Sequence, residues 1–157
     1  MYDLLIIDGN NLLHSDPALD RIKRQDFAQA RQELVDKLDD SASRLANRVV
    51  LVFDGTHGGK GREFRCSLIE ILFSPADMSA DTVIERMVQD HVKQNNVTVI
   101  TSDLAERHTV EGAGADALSC RMFLEELEHI QDSRQRDMGK PMFRKRPPSL
   151  GDLFPDL

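Results

Sequence analysis

Continuous apolar runs alternate with amphipathic segments along the chain. The amphipathic segments carry apolar residues at i, i+3, i+4 and i+7, most clearly over residues 80–92, for which Ser79 is a candidate N-cap. Buried parallel strands are continuous Val, Ile and Leu runs, and strands that alternate with helices are typical of a parallel sheet. The pattern therefore predicts a three-layer α/β domain with a mainly parallel sheet. The predicted strands are residues 3–8, 48–54, 63–73 and 97–102.

Weaker patterns predict the remaining elements. Asp26 is a candidate N-cap for a long amphipathic helix before the second strand. In residues 63–73 the apolar positions change parity, which predicts a bulge or two short strands. A short extended piece around residues 108–110 is a candidate fifth strand. Residues 112–115 then lead into a last long helix that carries Leu118.

The length of the chain, 157 residues, suits one domain. We assign residues 1–131 to this domain and residues 132–157 to a basic, proline-containing C-terminal tail. The composition changes at that boundary, because Asp132 to Arg146 holds six Lys or Arg residues against two Asp. A segment of this kind is expected to be a tail rather than a core element.

The bulk composition, 40% hydrophobic and 30% charged, is typical of a soluble globular protein. No apolar run approaches the roughly 18 residues of a transmembrane helix. The residues after Met1 enter a strand directly and have no basic segment of a signal peptide. We therefore expect a cytoplasmic protein with no membrane partner. Cys66 and Cys120 lack metal-ligand spacing and are expected to be reduced structural thiols.

Three predicted strands run directly into an aspartate, namely Asp8, Asp54 and Asp103. The carboxyl ends of parallel strands meet at one edge of a sheet, and ligands bind there. Carboxylates held together repel one another and raise each other's pKa unless a cation neutralises them. Asn11 and Ser102 stand beside two of these acids, where an amide and a hydroxyl can support a carboxylate or a metal-bound water. The pattern predicts a metal site.

Asp81 and Glu85 add two carboxylates from the predicted helix at residues 80–92. Their i, i+4 spacing stacks them one turn apart, at the border of the apolar face. Asp81 alone could be a favourable acid in the first helical turn, but Glu85 lies beyond the turn where the helix dipole helps. Acids without His or Cys ligands suit Mg²⁺ or Mn²⁺ better than zinc. Two such ions about 4 Å apart could activate a water and stabilise the leaving oxygen of a phosphodiester.

Each of these acids also has an ordinary structural interpretation. Asp8 with Gly9 is usual turn chemistry, and Asp103 is a candidate helix N-cap. The segment around Asp54 resembles the DxDGT motif of the haloacid-dehalogenase phosphatases, but Val52 occupies the position of the nucleophile. Phosphoaspartate chemistry is therefore not expected. The glycines that follow Asp54 also lack the Lys-Ser/Thr pair of a P-loop.

Taken in order, the motifs resemble the NYN domain, a branch of the PIN-like nucleases, and within it the YacP-like subgroup. The resemblance runs from about residue 4 to residue 128. It departs at Asn10, where the subgroup commonly has an aromatic residue, and at Asp116. The matching motifs are Asp8-Gly9-Asn10-Asn11, Val52-Phe53-Asp54-Gly55, Phe73-Ser74-Pro75, Ala80-Asp81-Thr82-Val83-Ile84-Glu85 and Val99-Ile100-Thr101-Ser102-Asp103.

This resemblance implies a PIN-like (Rossmannoid) sheet in the order 3-2-1-4-5 and a metal-dependent endoribonuclease with Mg²⁺ or Mn²⁺ as cofactor. It implies that Asp8, Asp81 and Asp103 hold the catalytic metal. Glu85 and Asp54 would be further ligands or would orient the ligands, and Asn11 would steady the first aspartate. Some relatives work in contact with ribosomes, so a ribosome is an expected partner beside RNA.

RNA would need positive contacts around an acidic crevice. Neutralisation of phosphates by these contacts would make binding fall with salt. The net charge of −7 does not exclude RNA, because a carboxylate cluster itself makes the count negative. The alternative function is an RNA- or ribosome-binding module with a vestigial nuclease site. The candidate RNA-binding residues are Lys60, Arg62, Arg65 and Arg107.

Overall fold

The computed structural model describes residues 1–55 and 68–139, which form one five-stranded parallel sheet and six helices. The strands are β1 (Tyr2–Asp8), β2 (Ala46–Phe53), β3 (Ile69–Phe73), β4 (Val97–Ile100) and β5 (Asp116–Leu118). The helices are α1 (Gly9–Ser15), α2 (Pro17–Gln25), α3 (Phe27–Leu45), α4 (Ala80–His91), α5 (Leu104–Gly112) and α6 (Cys120–Gly139). Among these residues, no helix combines the length and the apolar character needed to cross a membrane.

The sheet has the order β3-β2-β1-β4-β5, and every pair of neighbouring strands is parallel. The predicted α/β class and the implied strand order are therefore confirmed. Side chains alternate along β1, so Leu5 and Ile7 pack under α1, α3 and α6, whereas Leu4 and Ile6 pack under α4 and α5. Two separate apolar cores result, one on each face of the sheet. The order of the strands reverses between β1 and β4, which places a crevice at their carboxyl ends.

Two predicted N-caps are present at the predicted residues. The carboxylate of Asp26 accepts a hydrogen bond from Gln29 N at 3.1 Å at the start of α3. The hydroxyl of Ser79 accepts one from Thr82 N at 3.3 Å at the start of α4. Each satisfies a backbone donor that the first turn of a helix leaves unpaired. These local signals were readable because a cap depends only on its immediate neighbours.

The predicted fifth strand at residues 108–110 is wrong, because α5 covers this segment. Val110 is buried on the apolar side of α5 and does not belong to a pleated strand. The fifth strand is β5, and its Leu118 pairs with Ile100 of β4 instead of lying in the last helix. Three residues are too few to show an alternating pattern, so the pairing with β4 decides their conformation.

Residues 9–25 form two short helices that the apolar pattern did not predict. Asp8 caps α1, and Asp16 caps α2 by accepting from the backbone N–H groups of Ala18 and Leu19 at 3.0 and 3.3 Å. Pro17 takes the first helical position of α2, where its missing N–H costs nothing. Helices this short are marginal in isolation, so burial of their apolar side chains against α3 is needed to hold them.

The predicted boundary at residue 132 falls inside α6, which continues to Gly139. The division of the chain at that residue stays a prediction, and residues 140–157 lie outside the described part. Residues 63–67 of the predicted strand, with most of the predicted bulge, lie outside it as well. The second half of that strand is present as β3, with Ile69 buried as its parity predicts.

Gly55 follows β2 and lies in close contact with Ser74, which follows β3. Its N–H donates to Ser74 Oγ at 3.0 Å, and Ser74 N donates to Phe53 O at 2.9 Å. A Cβ atom at Gly55 would lie 1.9 Å from the carbonyl oxygen of Ser74, which is a backbone atom and cannot turn away. Glycine is therefore required for the loop after β2 to pass the end of β3.

We expect Gly55→Ala to lower the free energy of unfolding by about 1–3 kcal/mol, since the added methyl group forces the ends of β2 and β3 apart. Gly112→Ala is the matched control, because a Cβ atom there meets nothing within 4 Å. Urea denaturation of the two variants measures the difference. Equal stability of both variants would contradict the assigned close contact.

Candidate metal centre

Asp8 ends β1 at the crevice, and its side chain is 3% exposed. Both of its carboxylate oxygens accept hydrogen bonds from Asn11, Oδ1 from the backbone N at 3.2 Å and Oδ2 from Nδ2 at 3.3 Å. The amide oxygen of Asn11 in turn accepts from Ser102 N at 2.9 Å. Asn11 therefore orients Asp8, the role that the family resemblance implies, and it also joins the ends of β1 and β4.

Asp8 lies together with Asp81 and Glu106. One carboxylate oxygen of each lies within 4.8 Å of the other two. A Mg²⁺ ion with ligand oxygens at about 2.1 Å keeps any two of them within about 4.2 Å of each other. Adjacent ligands of an octahedral Mg²⁺ ion lie about 3 Å apart, so the three side chains would move closer together to share one ion. Asp8 and Glu106 are buried, whereas Asp81 is exposed, so the cluster opens to solvent on the side of α4.

Sequence reasoning missed Glu106. Asp103 is the N-cap of α5 and Glu106 is the third helical residue, so Asp-x-x-Glu looks like an ordinary capping motif. The usable signal was its spacing of four residues from Val110, which puts an acid on the buried side of the helix. Glu106 is only 5% exposed. Its Oε1 accepts from Thr101 Oγ1 at 2.6 Å, and its Oε2 is buried without a donor among the described residues.

Burial and mutual repulsion raise the pKa values of all three clustered acids. Burial, and then the charge of Asp8, raise the pKa of Glu106 to about 9. Burial is also the main cause of the raised pKa of Asp8, with the charges of Asp81 and Asp103 adding to it. For Asp81, burial and the charge of Asp103 raise the pKa. The three groups cannot all be ionised near neutral pH without a compensating positive charge.

Asp103 lies beside the cluster, but its carboxylate caps α5 by accepting from the backbone N–H groups of Ala105 and Glu106 at 2.9 and 3.2 Å. The structure thus groups Asp8 and Asp81 with Glu106, and Asp103 acts on them through its charge. Glu85 borders a cleft of about 140 Å³ that it shares with Asp81 and Glu106. It is one helical turn from Asp81 and is not among the three clustered acids.

Asp54 stands on the other side of the crevice. Its Oδ1 accepts from Ser74 Oγ at 3.4 Å, and its backbone N donates to Asn10 Oδ1 at 3.2 Å. Its charge contributes, as the smallest of the causes, to the raised pKa of Asp81. Asn10, which departs from the usual aromatic residue, thereby anchors the end of β2 to the start of α1.

The remaining predicted site residues are placed as follows. Ser102 Oγ accepts from Cys120 N at 3.2 Å and therefore joins the end of β4 to the start of α6. Arg107 is half-buried on α5, directly after Glu106. Three candidate RNA-binding residues lie outside the described part of the chain, namely Lys60, Arg62 and Arg65.

Comparisons with known proteins agree with this fold and with the order of the motifs. Residues 5–153 match the family model described as the YacP-like NYN domain. The protein YacP of Bacillus subtilis (strain 168) is 34% identical over 144 residues, which cover 88% of this chain and 82% of YacP. A crystal structure of Rae1 (YacP) from Bacillus subtilis has a TM-score of 0.76 and 33% identity, covering 87% of this chain and 79% of that one. The crystal structure of its tryptophan-to-leucine mutant has a TM-score of 0.73 and 32% identity, covering 85% of this chain and 80% of that one.

The match is long enough to decide the family. It includes every strand end that carries an acid, from Asp8 to Asp103, and it extends past Gly139 into the C-terminal segment. A relative with 34% identity over most of both chains shares the family as well as the fold. The chain belongs to the YacP-like NYN domain family, a branch of the PIN-like nucleases.

Proposed function

We propose that the protein is a Mg²⁺- or Mn²⁺-dependent endoribonuclease that hydrolyses RNA phosphodiester bonds at the crevice between β1 and β4. The observation that carries the proposal is the carboxyl group of Glu106. It is buried beside Asp8 and Asp81, and its Oε2 has no donor among the described residues. Three carboxyl groups this close together, two of them buried, can be ionised at the same time only beside a positive charge, and a shared cation supplies that charge.

The donor set fits a hard divalent cation. All three candidate ligand atoms are carboxylate oxygens, which Mg²⁺ and Mn²⁺ prefer and which a zinc site seldom uses alone. Asp8 and Glu106 would hold the ion from the buried side, and Asp81 from the exposed side. When bound, such an ion lowers the pKa of a water and stabilises negative charge on phosphate oxygens.

The side chains around the cluster have separate tasks in this proposal. Asn11 keeps Asp8 in one orientation, because it donates to both carboxylate oxygens. Glu85 lines the cleft beside Asp81, and Asp54 follows β2 at the same edge of the sheet, so either is a candidate to accept a proton from an attacking water. Asp81 is exposed, so the cluster can be reached from solvent, which cleavage within a polynucleotide requires.

RNA is the proposed substrate because of the family, and Arg107 with the basic residues of the glycine-rich segment would contact its phosphates. The ribosome stays a proposed partner, to be tested by co-sedimentation. The loss of RNA binding between low and moderate salt would report the number of phosphate contacts.

A binding module with a vestigial site is the second candidate, and the charges of a larger groove elsewhere on the described residues do not favour it. This groove, about 750 Å³, lies between the α1–α2 corner, α3 and α6. It contains Lys37 and Arg121, but Lys37 pairs with Asp16 at 3.3 Å and Arg121 faces Glu125 at 3.9 Å. These cations are already compensated, so the groove has little net attraction for a phosphate backbone.

We expect Asp81→Asn to reduce RNA cleavage at least about 100-fold, because the open side of the site loses its anionic oxygen ligand. The thermal midpoint should not fall, since the variant removes a like charge from the cluster. Asp90→Asn is the matched control, an exposed acid on the same helix α4. Cleavage of a labelled RNA with Mn²⁺ measures the effect. Wild-type cleavage by Asp81→Asn would refute the proposed site.

The raised pKa of Glu106 predicts how stability depends on pH in metal-free buffer. The unfolded side chain releases its proton near 4.5 and the folded one near 9, so the native state binds more protons in this window. The free energy of unfolding therefore falls as the pH rises from about 5 to about 9.

Glu106→Gln should remove the part of this dependence that Glu106 contributes and so make it smaller. We expect its thermal midpoint to exceed that of the wild type at pH 8 by about 2–4 °C, the shift that roughly 1 kcal/mol gives at this size, and to approach it at pH 5. Added Mn²⁺ should raise the midpoint of the wild type more than that of the variant. Differential scanning calorimetry measures both effects. A fall in midpoint between pH 5 and pH 8 that is as large in Glu106→Gln as in the wild type would contradict the assigned burial.

A further inference from the structure

Thr101 lies directly after β4 and is completely buried. Its backbone N donates to Leu118 O at 3.1 Å, so the residue is held between the ends of β4 and β5. A buried hydroxyl in a rigid backbone has few orientations open to it, and its partners decide which is used. Thr101 is not a candidate metal ligand, so any effect that it has on the site acts through its hydrogen-bond partners.

The hydroxyl of Thr101 makes two hydrogen bonds with different roles. Its Oγ1 accepts from Asp103 N at 3.2 Å, and it donates to Glu106 Oε1 at 2.6 Å. A backbone N–H can only donate, so Asp103 occupies a lone pair and leaves the hydroxyl proton for Glu106. The short distance is typical of a hydroxyl bonded to a charged or charge-sharing carboxyl group.

This arrangement differs from the usual start of a helix with Asp-x-x-Glu. In a capping box, the glutamate at the third helical position reaches back to the N–H of the N-cap residue. Here the N–H of the N-cap Asp103 donates to Thr101, and Glu106 is turned toward Asp8 and Asp81. The Asp103 carboxylate still performs its own half of the motif by accepting from Glu106 N at 3.2 Å.

We infer that Thr101 is a positioning residue that diverts Glu106 from a capping box into the acidic cluster. The Thr101 hydroxyl accepts from Asp103 N, the donor that Glu106 would bind in a capping box. It also donates to Oε1 of Glu106, so Oε2 is left for the cation. This inference rests on the proposed function for the identity of the ligand, but the orientation of Glu106 can be tested without it.

The test compares Thr101→Val with Thr101→Ser, which keeps the hydroxyl. Thr98→Val is the matched control, because Thr98 is a buried threonine three residues earlier on β4 and pairs with Leu5 and Asp116 instead of the cluster. Calorimetric titration with MnCl₂ and a metal-free crystal structure of each variant are the measurements. We expect Thr101→Val to lose 10–100-fold in Mn²⁺ affinity, the usual effect of removing a group that orients a ligand.

Thr101→Ser should bind Mn²⁺ within about threefold of the wild type, and Thr98→Val should bind it unchanged. A purely structural role of Thr101 would instead predict that Mn²⁺ affinity falls only in proportion to lost stability, alike in Thr101→Val and Thr98→Val. In crystals of Thr101→Val, the Glu106 carboxyl should move to within hydrogen-bond distance of Asp103 N. Unchanged affinity with an unmoved Glu106 would overturn the inference.

Two further outcomes are distinguishable. If the wild type binds no Mn²⁺, the proposed function fails, and the position of Glu106 in Thr101→Val crystals still decides the inference. If Thr101→Val does not fold, Thr101→Cys replaces it, because a thiol has a similar size and donates only a weak hydrogen bond. The same expected and contrary outcomes then apply to that variant.

Discussion

Three neighbouring strand ends are tied together by two consecutive asparagines in the first turn of α1. Asn10 accepts from Asp54 N at the end of β2, and Asn11 accepts from Ser102 N at the end of β4, one on each side of β1. Asn11 also donates to both oxygens of Asp8. Because the sheet is parallel, these ends meet at one edge, and the asparagines hold them at fixed separation. The positions of the acids at these strand ends depend on this connection.

This geometry brings like charges close together, which is unfavourable. Buried carboxyl groups lose their hydration and repel one another, which raises the pKa values of Asp8, Asp81 and Glu106. The nearby carboxylate of Asp103 has a different role, because it accepts hydrogen bonds from the backbone N–H groups at the start of α5. A cluster that destabilises the isolated fold and opens to solvent is typical of a site built for a ligand.

Much of this architecture was predictable from local patterns. The strands of β1, β2 and β4 are apolar runs, and the caps at Asp26 and Ser79 depend on a few adjacent residues. The predictions that were wrong or missing concern elements whose conformation depends on packing against other parts of the fold. Val110 could not be assigned to α5 from a short apolar pattern, and β5 is recognisable only through its pairing with β4. The same holds for α1 and α2, whose short lengths need the surface of α3.

The sequence by itself determined the parallel α/β sheet and the acids at its strand ends, because strand runs and turn residues act over a few positions. It also determined that Asn11 follows Asp8 closely enough to orient it. Only the tertiary structure decided which acids come together. Asp-x-x-Glu at the start of α5 has two possible partners for its glutamate, one on its own helix and one across the crevice. The buried hydroxyl of Thr101 selects the second, and such a choice depends on packing between β4, β5 and α5 that local spacing does not encode.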